Sequence, residues 1–205
     1  MKLPEHLTLS FLLAQFGARQ QCGATGTVLM VAAGLLPDLD TLTALGGWRA
    51  HRRYHRVLGH GLPMILFGPV ALAWFAEGCL GVSEVFVLWC WLEVSLLAHL
   101  ATDVLFYNWP VQLAWPVSRQ GVACGLMTWN DLVPTLILYS GTAAAVLWPA
   151  AALPAAALSV TALALYIGWR AWRPRSRKGW SAWLTGDWAR RSPRWSRRLT
   201  GDFIT

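Results

Sequence analysis

The apolar positions fall into long runs separated by short polar breaks. Residues 61–79 (GLPMILFGPVALAWFAEGC) and 85–107 (VFVLWCWLEVSLLAHLATDVLFY) are each long enough for the roughly 20 residues that carry a helix across a bilayer. Residues 132–148 and 155–169 are shorter but almost purely apolar. Residues 6–18 are apolar and too short to cross alone, whereas 24–46 are long enough but interrupted by Pro37, Asp38 and Asp40. The pattern predicts an all-α integral membrane helical bundle of about four transmembrane helices plus an N-terminal helical hairpin, turning near Arg19–Gly23. A partly inserted hairpin is tolerable when protein buries its polar backbone. Residues 1–170 read as the membrane-embedded domain and 171–205 as a basic, Trp-rich tail. Lys2, Pro4, Glu5 and His6 precede no small-residue cleavage site, so no cleavable signal is expected.

Composition agrees with this reading. Of 205 residues, 56% are hydrophobic and 13% charged, against about 25% charged in an ordinary soluble domain. Cys22, Cys79, Cys90 and Cys124 show neither CxxC pairing nor metal-ligand spacing and read as small buried hydrophobes.

The basic residues set an expected orientation. Arg49, Arg52, Arg53 and Arg56 share one loop, Arg119 sits in a later polar segment, and arginines crowd the tail, whereas 80–84 and 149–154 carry no Lys or Arg. The positive-inside rule places 47–60, 108–130 and 170–205 in the cytoplasm, and the spans 61–79, 85–107, 131–148 and 155–170 then alternate consistently. In the tail, arginines interleave with Trp180, Trp183, Trp188 and Trp195, and WLTGDW at 183–188 is echoed as RLTGDF at 198–203. That mix suits a segment lying on an anionic membrane surface better than one gripping nucleic acid.

Acids and histidines among apolar segments are costly and mark function. Asp38 and Asp40 follow an apolar run, His55 and His60 flank the basic loop, and Asp131 precedes a span. His99 and Asp103 are four apart and share a helix face. His6 opens the first helix. On the predicted topology all of them lie at or near the cytoplasmic boundary. Each has a plainer reading: Pro37-Asp38-Leu39-Asp40 as a helix stop, His55 and His60 as surface charge, His99 and Asp103 as a buried hydrogen bond, Asp131 as a helix N-cap. His51 fits no pattern and is expected to face solvent. Taken jointly, the set points to metal. Imidazole and carboxylate hold divalent zinc, manganese or iron. Two or three such ions polarise a phosphoryl or carbonyl oxygen and supply hydroxide near neutral pH. His6, Asp38, Asp40, His55, His60, His99, Asp103 and Asp131 are the candidate ligands, and Arg56 the candidate grip on an anionic substrate.

Four stretches in order carry a resemblance: Pro37-Asp38-Leu39-Asp40, His55-Arg56-x-x-Gly59-His60, His99-x-x-x-Asp103 and Trp115-Pro116-Val117-Ser118. Over roughly residues 1–140 the chain resembles the membrane-bound metal-dependent hydrolases of bacteria and archaea. That family carries Pro-Asp-x-Asp, His-Arg-x-x-Thr-His-Ser, His-x-x-x-Asp and Trp-Pro-Phe-Ser-like motifs, and often opens with Thr-His-x-x-x-Gly, which Glu5-His6 onward matches loosely. Gly59 and Gly61 replace its Thr and Ser, so a hydroxyl that would orient substrate or water is missing. The family is distantly similar to zinc-dependent phospholipase C and single-strand nucleases, all-helical proteins with a cluster of metals. The resemblance implies phosphoester hydrolysis at the inner membrane, with site and C-terminus cytoplasmic. Asp40, His60 and Arg56 are then the expected catalytic residues, and a membrane lipid or lipid-linked phosphoester the expected substrate. A metal transporter or sensor, and a non-catalytic scaffold with a partner-binding tail, are the alternatives. Nothing in the sequence sets the oligomeric state.

Overall fold

The computed structural model describes residues 2–105, 110–128 and 130–172. Most of the basic tail therefore lies outside the described residues. Helix α1 (Leu3–Ala14) begins with Pro4 in its first turn, where a missing N–H costs nothing. Helix α2 (Ala18–Leu35) is broken at Gly23, whose φ of 61° leaves the helical region. The hairpin therefore turns at Gln15–Gly17, somewhat before the expected point, and Gly23 adds a kink. A side chain at Gly17 would collide with the Trp91 ring, which is why the turn sits there. A 3-10 helix (Pro37–Gly46) follows, then α3 (Trp48–Tyr54), α4 (Leu62–Leu80), α5 (Val85–Val104), α6 (Leu132–Leu147) and α7 (Ala152–Trp172). An isolated antiparallel bridge joins Val111 and Val122.

Among the described residues three helical stretches are long and apolar enough to cross a membrane: Leu62–Leu80, Val85–Val104 and Pro149–Trp172. A fourth arises if α2 and the 3-10 helix form one broken span. Helix α6, expected as a full span, has 16 residues, roughly 24 Å at 1.5 Å per residue. It packs against α7 as a hairpin.

Helix α1 touches α2, α5, α6 and α7, so the shortest apolar helix is the hub. Leu12 in α1 packs with Leu138 and Ala145 of α6 and Ala156 and Leu163 of α7. A second core joins Leu29, Met30 and Ala33 of α2 to Ala73 and Ala76 of α4 and Leu88 and Leu92 of α5. In α4 the small residues face inward while Leu66, Phe67, Trp74 and Phe75 face out. That inversion of a soluble core is the expected arrangement when lipid is the solvent. Helices α6 and α7 meet closely at Gly141, where a Cβ would overlap the Ser159 hydroxyl. Cys79 and Cys90, expected to be buried, are exposed; an outward-facing thiol carries no penalty on an apolar helix surface.

Candidate metal centre

Helix α5 presents Leu88, Leu92, Leu96, His99 and Asp103 along its buried face, so the apolar pattern of the span aims the last two inward. His6 comes from the first turns of α1, Asp38 and Asp40 from the 3-10 helix, and His55, Arg56 and His60 from the loop before α4. His6, His60, His99 and Asp103 are essentially inaccessible, and Asp38 is 16% exposed at its side chain. One potential ligand atom from each of His60, His99 and Asp103 lies within 4.8 Å of the others, and the same holds for His6, Asp38 and His99.

The ring tautomers follow from the partners. His99 Nδ1 donates to the Gly34 carbonyl at 2.6 Å, so its Nε2 carries a lone pair. His60 Nδ1 donates to Asp40 Oδ2 at 3.1 Å, turning its Nε2 toward Asp103 Oδ2 at 3.4 Å. Both Nε2 atoms are buried without a hydrogen-bond partner. His6 stacks on His99 with ring centroids 3.7 Å apart and sets its Nε2 3.2 Å from Asp103 Oδ1. Its Nδ1 lies 3.5 Å from the Thr102 hydroxyl, which itself donates to backbone carbonyls of α5. Burial opposes charge on His60, yet the neighbouring Asp103 and Asp40 carboxylates outweigh burial and raise its pKa above the ordinary histidine value.

Three carboxylates gather around the rings. Asp38, Asp40 and Asp103 carry three negative charges when ionised, and Arg56, with Nη2 3.0 Å from Asp103 Oδ2, supplies one positive charge. A divalent ion held among these carboxylates would interact favourably with them. The orphaned Nε2 atoms and the carboxylate oxygens beside them are the donor set such an ion prefers. The residues present thus fit the metal that the sequence suggested.

Some expectations change. Asp40 was read as a ligand, but both oxygens are occupied. Oδ1 accepts from His55 Nδ1 at 2.6 Å, while Oδ2 accepts from His60 Nδ1 and from the backbone N–H groups of Arg56 at 2.8 Å and Gly59 at 3.4 Å. Asp40 therefore positions the rings from behind. His55 stands at the rim, its ring centroid 6.1 Å from that of His60, outside both ligand groups. Arg56, read as a substrate grip, is only 2% exposed and faces Asp103, so its charge is directed at the protein's own carboxylate. Its backbone has φ of 63°, held by that N–H to Asp40 and by its carbonyl accepting from Gln112 N at 3.1 Å. Asp131 stays away from the cluster. It caps α6 through Val133 N, accepts from the Tyr166 hydroxyl at 2.6 Å and lies 3.7 Å from Arg170 Nη1. Its plain N-cap reading is what the geometry supports. His51, expected to face solvent, stacks on His55 at 4.5 Å.

Gly34 and Thr102 had no signal in the sequence, because a backbone carbonyl and a lone hydroxyl acquire a role only through the ring packed on them. Gly59 also becomes legible: a Cβ there would collide with the Pro37 carbonyl. At Gly61 a Cβ would lie 2.9 Å from the Trp115 carbonyl and 3.0 Å from that of Val57. The two departures from the resembled motif are thus positions where the loop packs directly onto backbone.

A family model described as YdjM inner membrane protein matches residues 1–176. The chain is also similar to a protein of Bacillus subtilis (strain 168) described as uncharacterized protein YfhP, at 29% identity over 140 residues. That alignment covers 68% of this chain and 40% of the relative, so the chain spans less than half the relative's length. No solved structure matches. The expected inner-membrane character agrees with the family description; neither description names an activity.

Proposed function

The chain belongs to the YdjM inner membrane protein family, and on that premise we propose that it is a membrane-bound, metal-dependent hydrolase acting on a phosphoester of a lipid or lipid-linked substrate. The observation that carries the reading is the buried group of His6, Asp38, His60, His99 and Asp103. Two of its imidazole nitrogens, Nε2 of His60 and of His99, have no hydrogen-bond partner, and carboxylates stand beside them. Buried charge of this kind is retained for function, since a purely structural core would be better served by apolar side chains.

These five residues would hold the ion, with zinc the first candidate and manganese or iron the others. The two ligand groups share His99, whose Nδ1 is already bonded, so its single remaining lone pair serves one ion. This supports a smaller complement than the two or three ions suggested by the residue count. A bound divalent ion would polarise a phosphoryl oxygen and make water a nucleophile near neutral pH.

The chain's own residues do the rest. Asp40 fixes the His55 and His60 rings. Arg56 pairs with Asp103 and holds its carboxylate in place. The hydrogen-bonded pair of Asp40 and His55 at the rim is of the kind that takes up a proton from attacking water or returns one to a leaving oxygen. Asp38, the most accessible of the five, marks the open side of the cluster.

The test is metal content and turnover on detergent-purified full-length protein. About one equivalent of zinc or manganese per chain is expected, with hydrolysis of a phosphodiester that His99→Ala abolishes together with the metal. Stoichiometric metal without turnover of any soluble or vesicle-borne phosphoester would overturn the hydrolase reading. In that case metal flux into sealed vesicles would be measured next.

A further inference from the structure

The segment that carries Asp38 and Asp40 has three faces. In a 3-10 helix with three residues per turn, positions i, i+3 and i+6 lie in one column. Pro37 and Asp40 are buried and Thr43 is half-buried, and this column faces the protein. Asp38, Thr41 and Ala44 form a second column, which begins with Asp38 Oδ1 3.8 Å from His99 Nε2. Leu39, Leu42 and Leu45 form the third and are exposed by 52%, 63% and 89%. Trp48, 64% exposed, follows Gly47, and an exposed Arg49 comes next. A row of leucines turned away from the protein, ended by Trp and Arg, is what a segment resting in a lipid–water interface displays. The bend supports that placement: the 3-10 helix is turned 51° from α2, away from the direction in which α2 would cross.

We propose that the 3-10 helix Pro37–Gly46 is an interfacial loading edge. Its leucine column sits among acyl chains, and its Asp38 column leads a phospholipid headgroup from the bilayer sideways into the metal centre. The inference rests on the hydrolase reading for its substrate and adds the source: a bilayer-resident phospholipid rather than a water-soluble ester. An amphiphile complements the edge, because the apolar and polar columns run side by side and the polar one ends at the cluster. The segment packs against α2 and α5 of an inner-membrane-family protein, so bilayer lipid is its occupant. Arg49 adds a positive charge suited to anionic headgroups.

Two measurements separate this edge from the hydrolase reading beneath it. In the first, single cysteines at positions 41, 42, 44 and 45 are spin-labelled in full-length protein whose Cys22, Cys79, Cys90 and Cys124 are alanine. The protein is reconstituted in phosphatidylethanolamine–phosphatidylglycerol vesicles. Labels at 42 and 45 are expected to relax with dissolved oxygen and those at 41 and 44 with a water-soluble nickel chelate. Equal exposure of all four to the chelate would overturn the proposal whether or not the protein is an enzyme. In the second, Leu42→Glu/Leu45→Glu is compared with the native protein on a short-chain soluble phosphodiester and on vesicle phospholipid. The variant is expected to keep its metal and its soluble-substrate rate while losing about tenfold or more on vesicles. Equal rates on vesicles, or equal loss on both substrates with metal retained, would overturn it. If native protein turns over neither substrate, the hydrolase reading fails and the spin labels alone decide the placement of the edge.

Discussion

Asp40 Oδ2 lies 3.1 Å from His60 Nδ1, and through that contact the 3-10 helix decides which nitrogen of His60 faces Asp103. Four N–H donors converge on the Asp40 carboxylate, from two rings and two backbone groups. Asparagine would offer one acceptor oxygen and present N–H to N–H on its other side. Asp40→Asn is therefore expected to weaken metal affinity by roughly 10–100-fold while the helices remain folded, as followed by metal titration and circular dichroism. Unchanged affinity would remove Asp40 from the site's support.

The cluster and the N-cap aspartate should separate cleanly. His99→Ala removes a lone pair common to both ligand groups and is expected to empty the site. Asp131→Asn should leave the metal in place and instead lower the melting temperature, because Asp131 ties α6 to Tyr166 and Arg170 of α7. Elemental analysis beside a thermal melt reads both; loss of metal in the Asp131 variant would restore it as a ligand.

Protons and metal compete for His60. Its pKa is raised, despite burial, by the neighbouring Asp103 and Asp40 carboxylates. In the metal-free protein that stabilisation is fully present below the ordinary histidine value of about 6.5 and fades as pH rises through the raised value. Metal needs the neutral ring, so affinity is expected to strengthen over the same rise in pH. Chelator-treated protein should therefore lose thermal stability, and metal-loaded protein gain it, as pH rises above about 6.5. Parallel trends in the two forms would contradict the coupling.

Gly59 tests why the loop departs from the motif it resembles. Gly59→Ala or Gly59→Thr must displace the Pro37 carbonyl and is expected to cost about 1–3 kcal/mol, as overpacking does. Gly78→Ala, with open space around its Cβ position, is expected to be neutral or to stabilise by up to about 1 kcal/mol. Thermal unfolding in detergent separates them; a Gly59→Thr protein as stable as the parent would mean the loop has room to relax.

The α6–α7 hairpin rests on a comparable fit. Gly141→Ala pushes on the Ser159 hydroxyl and is expected to destabilise, and Ser159→Gly in the same chain should recover part of the loss. Strict additivity in that double-mutant cycle would show that the two residues do not meet.

Hydropathy alone was enough for the helices around 61–79 and 85–107, because a bilayer-spanning helix needs only length and apolar side chains. The i, i+4 spacing of His99 and Asp103 was likewise legible, since helix geometry puts them on one face wherever the helix lies. His6, Asp38, His60, His99 and Asp103 were all singled out in the sequence, and the structure brings them together. What each one does there depends on which of its atoms already has a partner, and linear order carries no trace of that. Asp40 looks like its neighbour Asp38 until four donors are found on it; Asp131 looks like a ligand until Tyr166 and Arg170 approach it from a helix 35 and 39 residues away. The 51° bend between α2 and the 3-10 helix that carries the exposed leucines had no counterpart in the hydropathy pattern. Local periodicity set the helices and their inward faces; lone-pair occupancy and direction were decided only by packing between segments far apart in the chain.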